Sequence, residues 1–208
     1  LPIYPRMDFM VYAMDAIVIQ TAKWSHMLGG QAHPGVTIRS IINRGGEQGA
    51  QHSQALHAWF AHVPGLRVVM PSTVADARVL LIASVLCPDP VMYIDDRWLY
   101  EQEDDLPPIV ELNLTEQKPR ISQSGNDITI VGSSHSSLLA REGANILRTE
   151  NISAEVVDVR VLNPFFVDDI VESVKKTCNL LVVDSGCLSA GFSGEIIAKV
   201  VERLPVNC

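Results

Sequence analysis

Gly45-Gly46-Glu47-Gln48-Gly49-Ala50-Gln51-His52-Ser53-Gln54 leads directly into Ala55-Leu56-His57-Ala58-Trp59-Phe60-Ala61, and then into Pro64-Gly65-Leu66-Arg67-Val68-Val69-Met70-Pro71-Ser72. The order is glycine loop, polar His/Gln cluster, apolar helix, turn and apolar strand. Glycine has no Cβ, so a loop built from it lets backbone approach a ligand closely. An imidazole placed there can give or take a proton near neutral pH. This succession predicts the catalytic edge of an α/β sheet.

The same alternation continues on both sides. Met10 to Met27 reads as a helix, with apolar positions at Val11, Met14, Ile17 and Val18 and Gly29-Gly30 as its stop. Val36–Arg39 is a β-rich run. After it the pattern predicts helix 53–62, strand 66–70, helix 73–86 capped by Ser72-Thr73, and strand 90–94. Acidic residues, Pro107-Pro108 and Pro119 make 101–123 a connector. Beyond it, strands at 127–132, 154–159 and 179–183 alternate with helices at 137–149, 166–176 and 193–203. Such alternation implies right-handed crossovers and mainly parallel sheets. The expected fold is α/β, as two parallel-sheet, three-layer units: residues 1–110, a linker at 111–123, and residues 124–208.

The 208 residues carry a net charge of −8, which argues against nonspecific attraction to nucleic acid. No apolar run approaches the roughly 20 residues needed to span a bilayer. Cys87, Cys178, Cys187 and Cys208 form no C-x-x-C pair and no zinc spacing, and read as reduced thiols of a cytosolic protein. The chain opens at Leu1, so a removed leader stays open. There is no P-loop or dinucleotide fingerprint.

Several blocks, in order, carry a family resemblance. They are GAQHSQ and AWFAHVPGLRVVMPST, Asp8-Phe9 with Ala13-Met14-Asp15, Gly29-Gly30-Gln31, Asp76-Ala77-Arg78, and Pro90-Val91 through Leu99-Tyr100. Together they resemble the beta subunit of the thiamine-diphosphate-dependent 2-oxo acid dehydrogenases, the decarboxylase component of the pyruvate and branched-chain complexes and a relative of transketolase. The resemblance covers nearly the whole chain. It implies a pyrimidine-binding domain followed by a transketolase-type carboxyl-terminal domain. It also implies decarboxylation of a 2-oxo acid, with the acyl group passed to lipoamide or another acceptor. A transketolase-like transfer to a sugar and a non-catalytic assembly module are the rival readings.

By that resemblance His52 is the catalytic residue, at the reacting end of the cofactor. Its role is to donate a proton to, or stabilise charge on, the substrate carbonyl. Phe9 stacks on the aminopyrimidine of thiamine diphosphate. Gln51, Ser53 and Gln54 orient the histidine. Arg39 matches a family arginine that could hold a carboxylate, although Ser40-Ile41 replaces the usual Gly-Pro after it; a surface or interface ion pair is the alternative. Glu47 reads as a solvated loop carboxylate. Ser84, Cys87 and Asp89 align with a segment whose backbone carbonyls bind potassium in some relatives. Asp95-Asp96 reads as an acidic strand end rather than a metal pair. His26, His33, His57, His62 and His135 read as structural, solvated or interfacial.

The resemblance further implies an alpha-type partner subunit holding the diphosphate and its magnesium, self-association, and delivery to a lipoyl acyltransferase core. The setting would be the cytoplasm, or the mitochondrial matrix of a eukaryote. The family's activating glutamate belongs upstream of Phe9, and the family continues past Val206. The chain therefore reads as truncated at both ends, with an active site it cannot complete alone.

Overall fold

The computed structural model describes residues 1–44 and 48–205. Gly45, Gly46 and Glu47 of the glycine loop lie outside the described residues, as do Val206, Asn207 and Cys208. Two compact units divide the chain: Leu1–Gln117 with Val161–Pro164, and Lys118–Arg160 with the residues from Phe165 onward.

Among the described residues the strands are β1 (Ile3–Tyr4), β2 (Thr37–Ile42), β3 (Arg67–Val69), β4 (Val91–Asp96), β5 (Arg120–Gln123), β6 (Ile128–Gly132), β7 (Ala154–Asp158), β8 (Val161–Asn163) and β9 (Leu180–Val182). The α-helices are α1 (Met7–Met10), α2 (Trp24–Met27), α3 (His57–Ala61), α4 (Val74–Leu86), α5 (His135–Thr149), α6 (Asp168–Thr177) and α7 (Phe192–Val201). None of the described helices is long and apolar enough to cross a membrane.

In the first unit the sheet order is β1-β2-β4-β3-β8. All pairings are parallel except β3 with β8. β4 is buried at every position, from Val91 to Asp96. Alternate side chains point to opposite faces of a strand, so complete burial means that both faces are covered. On one face Val91 and Tyr93 pack with Leu80 and Ala83 of α4 and with Leu114. Thr73 starts α4 by accepting the Asp76 N–H at 3.1 Å, the cap predicted at that position.

The helix expected from Met10 to Met27 is helical throughout but not uniformly α. Between α1 and α2 lie 3-10 turns at Val11–Ala13 and Thr21–Lys23 and a π segment at Asp15–Gln20. Ile17, Val18, Ile19 and Thr21 are β-branched and crowd a regular α-helix. The helix expected at 53–62 narrows to α3, preceded by a 3-10 turn at Ala50–His52. The Gln54 N–H is drawn to Asp8 instead of entering a helix.

The second unit orders its strands β5-β7-β6-β9. Ile130 of β6 packs with Ala140 and Ala144 of α5. Its neighbour Thr129 bonds Ser173 and Thr177 of α6, each at 2.7 Å. Adjacent residues face opposite ways, so α5 and α6 cover opposite faces and the unit has three layers.

The sheets are mainly parallel, as expected, and each carries one antiparallel edge strand, β8 in the first and β5 in the second. Three- and four-residue strands beside Pro164 and Pro119 are too short to show alternation. β5 also occupies the end of the stretch read as a connector. Arg120 on it pairs with the buried Asp158 of β7 at 2.9 Å.

Two predictions concern this framework. Gly65 has φ +90°, and a Cβ there would sit 2.0 Å from the Ala22 carbonyl oxygen. Gly143, inside α5, has nothing within 4 Å of a Cβ. Gly65→Ala should therefore cost at least about 1–3 kcal/mol in urea unfolding, and Gly143→Ala should gain about 0.5–1 kcal/mol. A neutral Gly65→Ala would mean that this close approach does not exist.

The second concerns Glu155, 2% exposed and bound by Lys176 and the Gly125 N–H. Burial pushes its carboxyl up, but hydrogen bonds from Lys176, Ser173 and Gly125 bring it below the usual range. A depressed folded value contributes stability above the unfolded pKa and loses it as pH falls through the folded one. Glu155→Gln should remove part of the acid-induced loss of stability below about pH 4.5. An unchanged slope of stability against pH in that range would refute the assignment.

Candidate functional site

Phe9 on α1 and His52 on the turn before α3 meet edge to face, with ring centroids 5.0 Å apart and planes at 80°. Phe9 keeps 55% of its surface exposed. His52 is half-buried, and its Nδ1 is buried with no hydrogen-bond partner among the described residues.

The pair is held by its neighbours. Asp8 Oδ1 accepts from the Gln54 backbone N–H at 3.1 Å and from its side-chain amide at 3.0 Å. The Leu56 N–H reaches Met7 Sδ at 3.1 Å. Gly49, at φ +80°, turns its carbonyl to accept both the His52 N–H at 3.1 Å and the Ser53 hydroxyl at 3.0 Å. These contacts clamp 49–54 against α1. Ser53 and Gln54 thus support the histidine indirectly, while Gln51 is exposed.

Arg39, on β2, is held by partners of its own. Its Nε and Nη2 donate to Asp95 Oδ2 at 3.1 and 2.5 Å, and Nη2 also donates to the Tyr100 hydroxyl at 3.1 Å. The Asp95 hydrogen bond raises the Arg39 pKa against the opposing effect of burial. Tyr100 is pushed up to about 12 by burial and by Asp95. Tyr93 is raised strongly, chiefly by burial. Arg44 pairs with Asp96 at 2.8 Å. The acidic strand end is thus a pair of separate ion pairs, and the described residues contain no cluster of three His, Cys, Asp or Glu suited to a metal.

At the other proposed cation position, the Ser84 carbonyl accepts from the Thr37 hydroxyl at 2.8 Å. Cys87 is the C-cap of α4. Asp89 binds Arg67 at 2.6 Å and His33 at 3.3 Å. Burial raises the Asp89 carboxyl, but Arg67 and His33 outweigh it and hold the group below the usual carboxylate range. The Ser84 carbonyl has a second lone pair beyond the one that the Thr37 hydroxyl uses.

Of the other histidines, His57 is wholly buried. The residues that sequence reasoning left outside the site are Asp8, Asp95 and Tyr100. Asp8 had been quoted only as part of a resemblance. Its partner Gln54 is 46 residues away, and no local signal joins them.

The family described as "Transketolase, pyrimidine binding domain" matches residues 5–102, and "Transketolase, C-terminal domain" matches residues 117–207. The chain belongs to the transketolase family. Curated relatives in this family include the "Pyruvate dehydrogenase E1 component subunit beta" of Rhizobium meliloti, 35% identical over 196 residues, covering 94% of this chain and 43% of the relative. The "Acetoin:2,6-dichlorophenolindophenol oxidoreductase subunit beta" of Cupriavidus necator is 37% identical over 202 residues, covering 94% and 58%. The "2-oxoisovalerate dehydrogenase subunit beta, mitochondrial" of Dictyostelium discoideum is 36% identical over 198 residues, covering 94% and 54%. The chain thus spans about half the length of these relatives.

The fold agrees with solved transketolases. "Split gene transketolase, inactive beta4 tetramer" superposes with a TM-score of 0.76 at 21% identity, covering 98% of this chain and 64% of that one. The transketolase of Campylobacter jejuni gives 0.67 at 14% identity, covering 89% and 28%.

The transketolase-type sheet end yields a stability prediction. Asp96 has a side chain 1% exposed, and Arg44 is its cation. Removing one partner of a buried pair typically costs about 3–5 kcal/mol. Arg44→Met should approach that loss in chemical denaturation, and Asp96→Asn in the same background should recover part of it. A loss below about 0.5 kcal/mol, the range of ordinary surface substitutions, would show the pair to be incidental.

Proposed function

We propose that this chain forms the beta-type part of a thiamine-diphosphate enzyme that decarboxylates a 2-oxo acid and passes the acyl group to lipoamide or another acceptor. The observation that carries the proposal is the Phe9–His52 pair: an exposed aromatic ring beside a half-buried imidazole with an unpartnered nitrogen. A flat, exposed ring fits the flat aminopyrimidine of the cofactor. Nδ1 is buried, so it is the rest of the half-buried ring that can meet a bound molecule.

When bound, thiamine diphosphate supplies the electron sink that decarboxylation of a 2-oxo acid requires. The protein's share is positioning and proton control. Phe9 presents an apolar face and excludes water. His52 holds or delivers a proton at the substrate carbonyl oxygen. Asp8, through Gln54, fixes the turn that carries it.

An alpha-type partner supplies the diphosphate and magnesium site in this reading. Phe9, Tyr12, Ile19, Trp24, Met27 and Trp59 are exposed large apolar side chains of the first unit, which supports contact with another subunit. A lipoyl acyltransferase core is the acceptor assembly for a pyruvate or branched-chain substrate. The acetoin-enzyme relative leaves another acceptor open. The reading places the enzyme in the cytoplasm, or in the mitochondrial matrix of a eukaryote. In the same reading the backbone carbonyls of Ser84, Cys87 and Asp89 could hold a potassium ion.

The test is His52→Ala in the enzyme reconstituted with its partner and cofactor. Turnover should fall about 10²–10⁴-fold, in kcat and kcat/KM together, with cofactor affinity and melting temperature unchanged. His62→Ala, at an exposed position, is the control; His57 is too deeply buried to serve. Equal, small effects of both substitutions would end the proton-transfer assignment.

A further inference from the structure

Arg39 and Arg44 are both spent on carboxylates, those of Asp95 and Asp96. Arg6 is not. It is half-buried and stands at the N-cap of α1. Its Nη1 donates to the Pro5 carbonyl at 2.9 Å and its Nη2 to Gln48 Oε1 at 2.7 Å, both in exposed surroundings. With the Asn43 amide oxygen turned toward it, Nε and Nη2 each donate to that oxygen at 3.2 Å. All of these partners are neutral, and no carboxylate among the described residues pairs with Arg6. A guanidinium carries five N–H groups, so one on Nη1 is left over.

Two short segments place this charge beside the Phe9–His52 pair. Phe9 is the third residue of α1, and the N-cap and third helical residues reach one another across the first turn of a helix. Opposite them, Gln48 adjoins Gly49, whose carbonyl accepts the His52 N–H at 3.1 Å. Arg6–Gln48, Phe9–His52 and Asp8–Gln54 are therefore three contacts between the same two segments, 6–9 and 48–54. The guanidinium is a positive charge, open to solvent, on the rim of the candidate site.

A positive charge with only neutral partners attracts an anion, and the guanidinium fork suits a carboxylate. In a 2-oxo acid the carboxylate is bonded to the carbon whose carbonyl His52 serves. An anion-binding group must therefore stand next to the imidazole, and Arg6 is the arginine that the fold puts there. On reaction the carboxylate departs as neutral carbon dioxide. Its attraction to the guanidinium is full before reaction and fades as the carbon–carbon bond breaks. Such a contact strengthens substrate binding and does not speed the chemical step.

We propose that Arg6 receives the carboxylate of the substrate and so sets the affinity of the site for a 2-oxo acid. The assignment rests on the reading of Phe9 and His52 as the site of a 2-oxo acid decarboxylase. On Arg39 a carboxylate of the protein, Asp95, already occupies Nε and Nη2. On Arg6 an incoming carboxylate meets a charge that no carboxylate among the described residues has neutralised.

Steady-state kinetics of the enzyme reconstituted with its partner and cofactor test it, with pyruvate and 2-oxoisovalerate as substrates. Arg6→Gln should raise KM about tenfold to a hundredfold for whichever acid the enzyme uses, with kcat unchanged or higher. Arg6→Lys, which keeps the charge, should recover most of the affinity. An unchanged KM in Arg6→Gln would overturn the proposal. So would a Lys variant no better than Gln, which would place the effect in the Gln48 hydrogen bond. A fall in kcat at constant KM would likewise overturn it and make Arg6 a support of the His52 turn. The two assignments fail separately, because His52→Ala reads kcat and Arg6→Gln reads KM. Lost turnover in His52→Ala beside a normal KM in Arg6→Gln would remove this assignment and keep the reading beneath it. Wild-type enzyme idle with both acids would remove both.

Discussion

Two consecutive carboxylates at the end of a fully buried strand constrain everything around them. Asp95 and Asp96 close β4, and neither can stay ionised inside the protein without a partner. Each has an arginine from the β2 side, Arg39 and Arg44. Parallel pairing of β2 and β4 in register, with Ile41 opposite Asp95 and Ile42 opposite Asp96, brings those arginines to the right height. The Arg39–Asp95 pair lies within β2, and the Arg44–Asp96 pair ties down the chain just beyond its end. The chain that leaves β2 goes on to the glycine loop and the His52 turn. A constraint that looks purely structural thus sets the starting point of the candidate site.

From there a single carboxylate oxygen does the local positioning. Asp8 Oδ1 binds two groups of Gln54, and the clamp brings Phe9 against His52. The result is an aromatic ring set edge to face against a half-buried imidazole. Membership of the transketolase family gives this surface its reading, since the matched pyrimidine-binding region, 5–102, contains both residues.

Elements bounded by clear start and stop signals could be read directly from the sequence. α4 shows its cap at Thr73 and its apolar positions at Leu80 and Ala83, and β4, β6 and β7 are apolar runs between clear breakers. β5 and β8 could not be read, because an edge strand of three or four residues has no room to alternate and gains its identity only by pairing. His52 stood out because its neighbours are glycine and polar residues. Arg39 was assigned to the same site, yet it bonds Asp95, 56 residues away. The Asp8–Gln54 clamp spans 46 residues. Such partners are chosen by the fold, and a local window of sequence contains only one side of each.

The measurement closest to the central claim is a structure of the reconstituted enzyme with thiamine diphosphate bound. The account predicts the aminopyrimidine against the Phe9 ring, with His52 on the side of the cofactor that receives substrate and the Asp8–Gln54 clamp intact. A cofactor ring bound away from Phe9, or His52 turned from it with the clamp still in place, would contradict the account.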